Sequence, residues 1–334
     1  MGFNSQNGQI GFGIQSVKGT AVAATRFARI RGGSIGGDRS LLIPDPEIGG
    51  GRDIQAAYLG PVGFSGDIDF YPRAQMIAML LFGALGAKTS TTVAGPPLKG
   101  THVITPANTS PWLTVEERVA NSFESFRYTD AKVNTLHLEA EANGYLMGSA
   151  NIIAIKGVSG FTAQSSPAID ESPLVVGSSV TFSFGGVDLK AKSFSLDLNN
   201  NIENDDFRLG SVYMADAVEK RRELKLTASY RPDDATLWKQ AMWGGSSFTE
   251  AQAGAAYRGA VAITITTFET IGNEVAGVPF SVTINVPSAV ISPFKVSPSG
   301  DDVLTNDIEL TAIRPSAGTP LATFTVVNDL ATVS

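Results

Sequence analysis

The stretch GPVGFSGDIDFYPRAQMIAMLLFGALG, Gly60 to Gly86, changes its hydrophobic period in the middle. Phe64, Ile68 and Phe70 alternate with Ser65, Asp67 and Asp69, the period of a half-buried strand. After Pro72, residues Ala74, Ile77, Ala78, Leu81 and Leu85 recur at helical spacing and predict one apolar helix face. Farther on, EKRRELKLTASYRPDDATLWKQAMWGG, Glu219 to Gly245, makes the same transition: alternating strand, Tyr, Pro, helix, two glycines. Its apolar stripe is Ala235, Trp238, Ala241 and Met242. One helix in each half of an otherwise strand-like chain restricts the fold to two β-domains, each carrying a single helix.

The flanking segments repeat in the same order. KSFSLDLNNNI (192–202) answers TRFARIRGGSI (25–35), and PFSVTINVPSAVI (279–291) answers SPWLTVEERVANSF (110–123). NDIELTAIRPSAGTPLATFTVVN (306–328) answers NTLHLEAEANGYLMGSANIIAIK (134–156). The offset grows from about 160 to about 172 residues along the chain, as when loops lengthen in a duplicated unit. The expected organisation is an N-terminal arm (1–25), a first domain (26–156), a Ser/Gly/Pro-rich linker (157–180) and a second domain (181–334). The arm holds Phe3, Ile10, Phe12 and Ile14 without regular spacing and reads as an extended segment rather than a strand. Residues 36–60, with Pro44, Pro46 and three consecutive glycines, read as a long loop, a feature usually functional in a compact domain. Its Leu41, Leu42 and Ile43 are costly to leave in water and point to burial against a partner.

Composition excludes more than it identifies. At 334 residues the chain exceeds the size of most single cores. Thirty-five glycines and 17 prolines suit many turns between short strands. Charged residues are 17%, below the usual ~25%, which suits a surface largely covered by partners. With no cysteine, disulfides, Cys-ligated zinc and Cys nucleophiles are ruled out. The N-terminus lacks the basic and apolar regions of a secretory signal, so the Asn108-Thr109-Ser110 sequon carries no weight. No apolar run reaches the ~18 residues of a membrane span. A net charge of −7 argues against a sequence-specific nucleic-acid binder.

Catalytic patterns fail one by one. His102 and His137 have no HExxH or HxH partner. GQIGFGIQ lacks the third glycine of a dinucleotide loop, and GPPLKGT has the wrong order for a phosphate loop. The pairs Asp45/Glu47, Asp67/Asp69, Asp233/Asp234 and Asp301/Asp302 and the cluster Glu203/Asp205/Asp206 lie mostly beside turn formers, without calcium-loop spacing. A glycosidase-like carboxylate pair meeting in space stays open at this level. No cofactor, metal site or enzymatic role is expected.

The order of these elements is similar to that of a known family. VKGTAVAATRFARIRGGSI, EIGGGRDIQAAYLGPVGFSGDIDF before the apolar helix, GTHVITPANTSPWLTVEERV and the late KSFSLDLNNNI together resemble the major tail tube proteins of long, non-contractile-tailed bacteriophages, in the branch with a duplicated tube domain. The resemblance spans about residues 16–328; its motifs are structural, and their order carries it more than any one of them. It implies a mainly β fold of two tandem β-sandwich or half-barrel domains, each with one flanking helix, joined edge to edge into a ring-shaped β-barrel. Three chains would then close a pseudo-sixfold ring, and rings would stack into a virion tail tube that conducts double-stranded DNA. Implied partners are further copies of the chain and the tape-measure, terminator and baseplate or tip proteins, with no membrane.

On that reading the candidate lumen residues are Asp67, Asp69, Glu139, Glu141, Asp197, Asp307 and Glu309, each polar on a strand whose other face is apolar. Like-charged walls would keep phosphates mobile. The candidate contacts between rings or subunits are Phe3, Ile10, Phe12, Ile14, Leu41, Leu42, Ile43 and Arg52. Two other classes fit the composition: a β-rich shell or adhesin-like protein, which leaves the repeated helix unit unexplained, and a carbohydrate-binding sandwich. The latter calls for exposed aromatic clusters, whereas Trp112, Trp238 and Trp243 sit in core-like patterns.

Overall fold

The computed structural model describes residues 8–49, 51–54, 56–120, 124–162, 164, 166–254, 256–274, 277–296 and 303–333. The first half contains β1 (Gln9–Ile14), β2 (Arg26–Ala28), β3 (Ile30–Gly33), β4 (Gly36–Leu42), β5 (Tyr58–Phe70), α1 (Ala74–Leu85), β6 (Gly86–Val93), β7 (Lys99–Pro106), β8 (Leu113–Arg118), β9 (Ser125–Glu141) and β10 (Met147–Ser159). The second contains β11 (Val180–Phe184), β12 (Val187–Asp188), β13 (Ser193–Asn199), β14 (Glu223–Tyr230), α2 (Thr236–Trp243), β15 (Arg258–Thr270), β16 (Pro279–Ile291), β17 (Asn306–Ala312) and β18 (Thr323–Asn328). The fold is mainly β, with the strand-to-helix transition at both predicted places.

Two antiparallel layers run through both halves. One has the order β5–β10–β9–β13–β14–β17, with β3 and β4 on the outer edge of β5. The other has the order β6–β7–β18–β16–β15–β11. Strand β16 joins them, pairing with β18 through Ser281–Asn285 and with β17 through Ala289–Ile291. The halves are thus continuous in both layers, through β9–β13 and β7–β18.

Helix α1 sits in the common core. All its residues except Gln75 are buried, so it is apolar all round rather than on one face, as a helix enclosed on every side must be. It packs against β9 on one side and β6, β7 and β18 on the other. Its first turn has no cap of its own. Asp170, 0% exposed, accepts the Gln75 and Met76 amides at 3.0 and 2.7 Å, and Ser172 Oγ accepts the Ala74 amide. The second half holds both helix ends: Asn328 Nδ2 donates to Ala74 O and Asn200 Nδ2 to Ala84 O. Helix α2 has no buried residue, although Leu237 and Ala241 touch the core.

Four expectations change. The arm is not irregular: residues 9–14 form β1, paired with β8 and β2. The linker, expected only as a Ser/Gly/Pro-rich connection, is hydrogen-bonded to the first half: the Phe27 amide donates to Ala168 O, the Asp170 amide to Phe27 O and the Leu146 amide to Val175 O. The long loop is shorter than expected, because β4 pairs with the start of β5 and takes residues 36–42 and 58–60 into the sheet. Finally, the closing strands of the halves differ. Strands β9 and β10 form a hairpin inserted beside β5, whereas β17 pairs with β14 and β18 crosses into the other layer. The difference follows from β7, whose free edge takes up β18.

Candidate assembly surfaces

The outward face of the first layer is built by strict alternation. Ile68, Phe70, Leu136, Leu138, Ala140, Phe194, Leu196, Leu198, Leu224, Leu226, Ile308 and Leu310 point into the core. The residues between them share the other side, and register decides which ones align. Asp69 pairs with Ser149, Ser149 with His137, His137 with Asp197, Asp197 with Lys225 and Lys225 with Thr311, one polar row across six strands. The next rows hold Asp67 with Asn151, Glu139 with Ser195, Thr227 with Glu309, and Glu141 with Ser193. Asp67, Asp69, Glu139, Glu141, Asp197, Asp307 and Glu309 are all exposed and all on this one face.

Sequence reading missed Glu223 and Lys225, which lie on the same face of β14. Among the described residues, the open part of the face therefore carries eight carboxylates against Lys225, with Arg31 of the edge strand β3 reaching it at Met147 Sδ. Local pairs temper the repulsion. His137 Nδ1 lies 2.6 Å from Asp197 Oδ1 and its Nε2 3.4 Å from Glu139, and Lys225 reaches Glu309 at 4.0 Å. His102 is different: it is fully buried at the β7–β18 junction, between Ser90 Oγ and Asn328 Oδ1, and burial pushes its pKa down. No group of three or more potential metal ligands occurs among the described residues. No helix among them is long and apolar enough to cross a membrane.

The outward face of the other layer is nearly uncharged. Thr89, Val103, Thr325, Thr283, Thr264 and Thr181 are aligned across its six strands. The two surfaces of the molecule thus differ sharply in charge.

The candidate contact residues divide. Ile10 and Phe12 are 0% exposed and belong to the core beneath β8, so they cannot present a surface to a neighbour. Ile14 is half-buried against the same core. The alternation was hidden because Gly11 and Gly13 occupy the intervening positions, where a Cβ would lie 2.5 Å from Phe27 or from the Ala23 carbonyl. Phe3 lies outside the described residues. Leu41, Leu42 and Ile43 are 59, 52 and 48% exposed, at the end of the β4–β5 hairpin, and Arg52 is exposed in its tip. Tyr58 and Leu59 opposite them, and Ile48 and Ile54 in the tip, are exposed as well. So many bare apolar side chains on one hairpin are costly to leave in water.

An acidic strand face, a bare apolar hairpin and sheets continuing from one half into the next describe a mainly β protein with two unlike outer surfaces. The family model for phage tail tube proteins matches residues 5–312, and the chain belongs to that family. Among curated proteins, none matches it in sequence. The chain is accordingly a structural component of a phage tail.

Proposed function

We propose that the protein self-assembles into rings of three chains, each chain supplying two ring positions, and that the stacked rings form the conduit for double-stranded DNA. The observation that carries this reading is the acidic face: eight carboxylates on one side of a six-stranded layer that runs unbroken through both halves. Turned toward a bore, it repels phosphate at every level and gives the genome nothing to bind, whereas lysines and arginines would form phosphate contacts and release counterions. The continuity at β9–β13 and β7–β18 supports a ring closed by further strand continuation, which also removes exposed sheet edges. The β4–β5 hairpin, with Leu41, Leu42, Ile43 and Arg52, serves as a contact between subunits. Tape-measure, terminator and tip proteins complete the tail.

Particles carrying Glu139→Lys and Glu141→Lys test the reading. Both residues are exposed, so folding and tube assembly should persist. Genome ejection should slow, and slow further at low ionic strength, where phosphate attraction is least screened. Ejection at the wild-type rate in low salt would contradict a bore-facing assignment.

A further inference from the structure

The second half contains a counterpart of the β4–β5 hairpin, already docked. In the first half, Ile30 pairs with Phe70 and Leu42 with Tyr58. In the second, Ser193 pairs with Ser229, and beyond the regular strands the hairpin continues with its register shifted by one residue, Ile202 facing Glu219 and Phe207 facing Met214. Both hairpins reach a proline two residues after Phe70 or Tyr230, Pro72 or Pro232, and a helix follows, from Ala74 or Thr236. They are one element in two environments.

The second hairpin folds back onto the first half. Its Ile202, Met214 and Ala217 pack on Ile153 and Ile155 of β10, and the Val62 amide of β5 donates to Val212 O. Tyr213 stacks near Phe64 at 6.3 Å. Glu219 forms a buried ion pair with Lys132 of β9 at 3.0 Å, and Asp216 pairs with Lys18 at 2.8 Å. The first hairpin has no such seat among the described residues of its own chain; its apolar residues remain bare. Helix α2 is bare in a complementary way. Its counterpart α1 is closed over by β18, Asn200 and Asn328 of the second half, whereas no residue of α2 is buried by the described residues.

We infer that the first hairpin docks laterally on the second half of a neighbouring copy, and that the first half of that same hairpin-bearing copy covers the neighbour's α2. The joint between chains then repeats the joint inside each chain. The interface is heterologous, using different surfaces on the two partners, as ring closure by rotation requires. This assigns the hairpin to contacts within a ring, not between rings, and it rests on the ring assembly proposed above.

Leu42→Glu with Leu59→Glu on the hairpin, and Met242→Glu on α2 as an independent variant, test the assignment by native mass and electron microscopy. Wild-type protein run alongside must give rings or tubes; its failure to do so would count against ring assembly itself. All three side chains are exposed, so unchanged circular dichroism and melting are expected of the variants. Each should remain at the 35.0 kDa of one chain, with loss of both rings and tubes. Discrete unstacked rings from the hairpin variant would overturn the assignment, because the hairpin would then act between rings, and so would tubes of normal length. Single cysteines at positions 59 and 242, in a chain with no native cysteine, provide a second readout: a short bismaleimide should link neighbouring chains in wild-type-like rings, and links confined to ring–ring junctions would refute the lateral docking.

Discussion

Glu117 offers a quantitative test of the fold. It lies on β8, 3% exposed, and accepts the Ile35 amide at 3.2 Å; Tyr128, beside it, donates its hydroxyl to Ile35 O. No cation among the described residues is paired with it. Burial raises its pKa from 4.5 to about 7, against smaller opposing effects of the Ile35 and Tyr128 hydrogen bonds. The folded chain therefore holds a proton that the unfolded chain releases near its ordinary value. The corresponding stabilisation is complete below the unfolded pKa and is lost as pH rises through about 7. The full shift is worth about 3 kcal/mol, of which roughly 1.3 kcal/mol disappears between pH 6 and pH 8. Buried His102 acts in the opposite sense: its lowered pKa removes stability on the acid side, so the wild-type curve contains both effects. Glu117→Gln separates them, since the amide still accepts from Ile35 but cannot ionise. Urea denaturation at pH 6, 7 and 8 should show the wild type losing roughly 1 kcal/mol more than the variant across that range. Equal slopes for the two proteins would show that Glu117 is not held protonated by its surroundings.

Three further outcomes follow from named contacts. Asp170→Ala removes the acceptor for two α1 amides in a fully buried position and should cost about 2–3 kcal/mol, measured by urea denaturation, whereas a surface aspartate would cost under 0.5. Lys132→Met strands Glu219 and should cost about 3–5 kcal/mol, largely recovered when Glu219→Met is added, as a double-mutant cycle would reveal. Gly33→Ala should destabilise strongly, because Gly33 has φ of 89° and a Cβ would meet the Asp67 carbonyl at 1.9 Å; a melting temperature within a degree of wild type would be the contrary result.

What the sequence made legible depends on how locally each feature is encoded. The acidic face was readable because two-residue alternation around Leu136, Leu138, Leu196 and Ile308 dictates sidedness without any knowledge of pairing. Which strands stand side by side is set by long-range register, and so Glu223 and Lys225 escaped notice until β14 was placed between β13 and β17. Strand β1 was hidden by glycines that pack where larger residues would clash. The apolar surplus of α1, with Met76, Met79, Leu80 and Phe82 off the predicted stripe, was visible as a composition, but its cause is a second half closing over the helix. Asp170 and Ser172 looked like ordinary linker residues because a cap supplied from about 95 residues away leaves no local pattern. The difference between the two hairpins was likewise illegible: both have similar lengths, and only the docking of Phe207–Met214 on β5 and β10 distinguishes them.

The most direct test of the account is cryo-electron microscopy of the assembled tube at side-chain resolution. The account predicts three chains per ring, with Asp67, Glu139, Asp197 and Glu309 facing the bore and the threonine-rich layer outward. Six chains per ring, or the acidic layer on the outer wall, would contradict it.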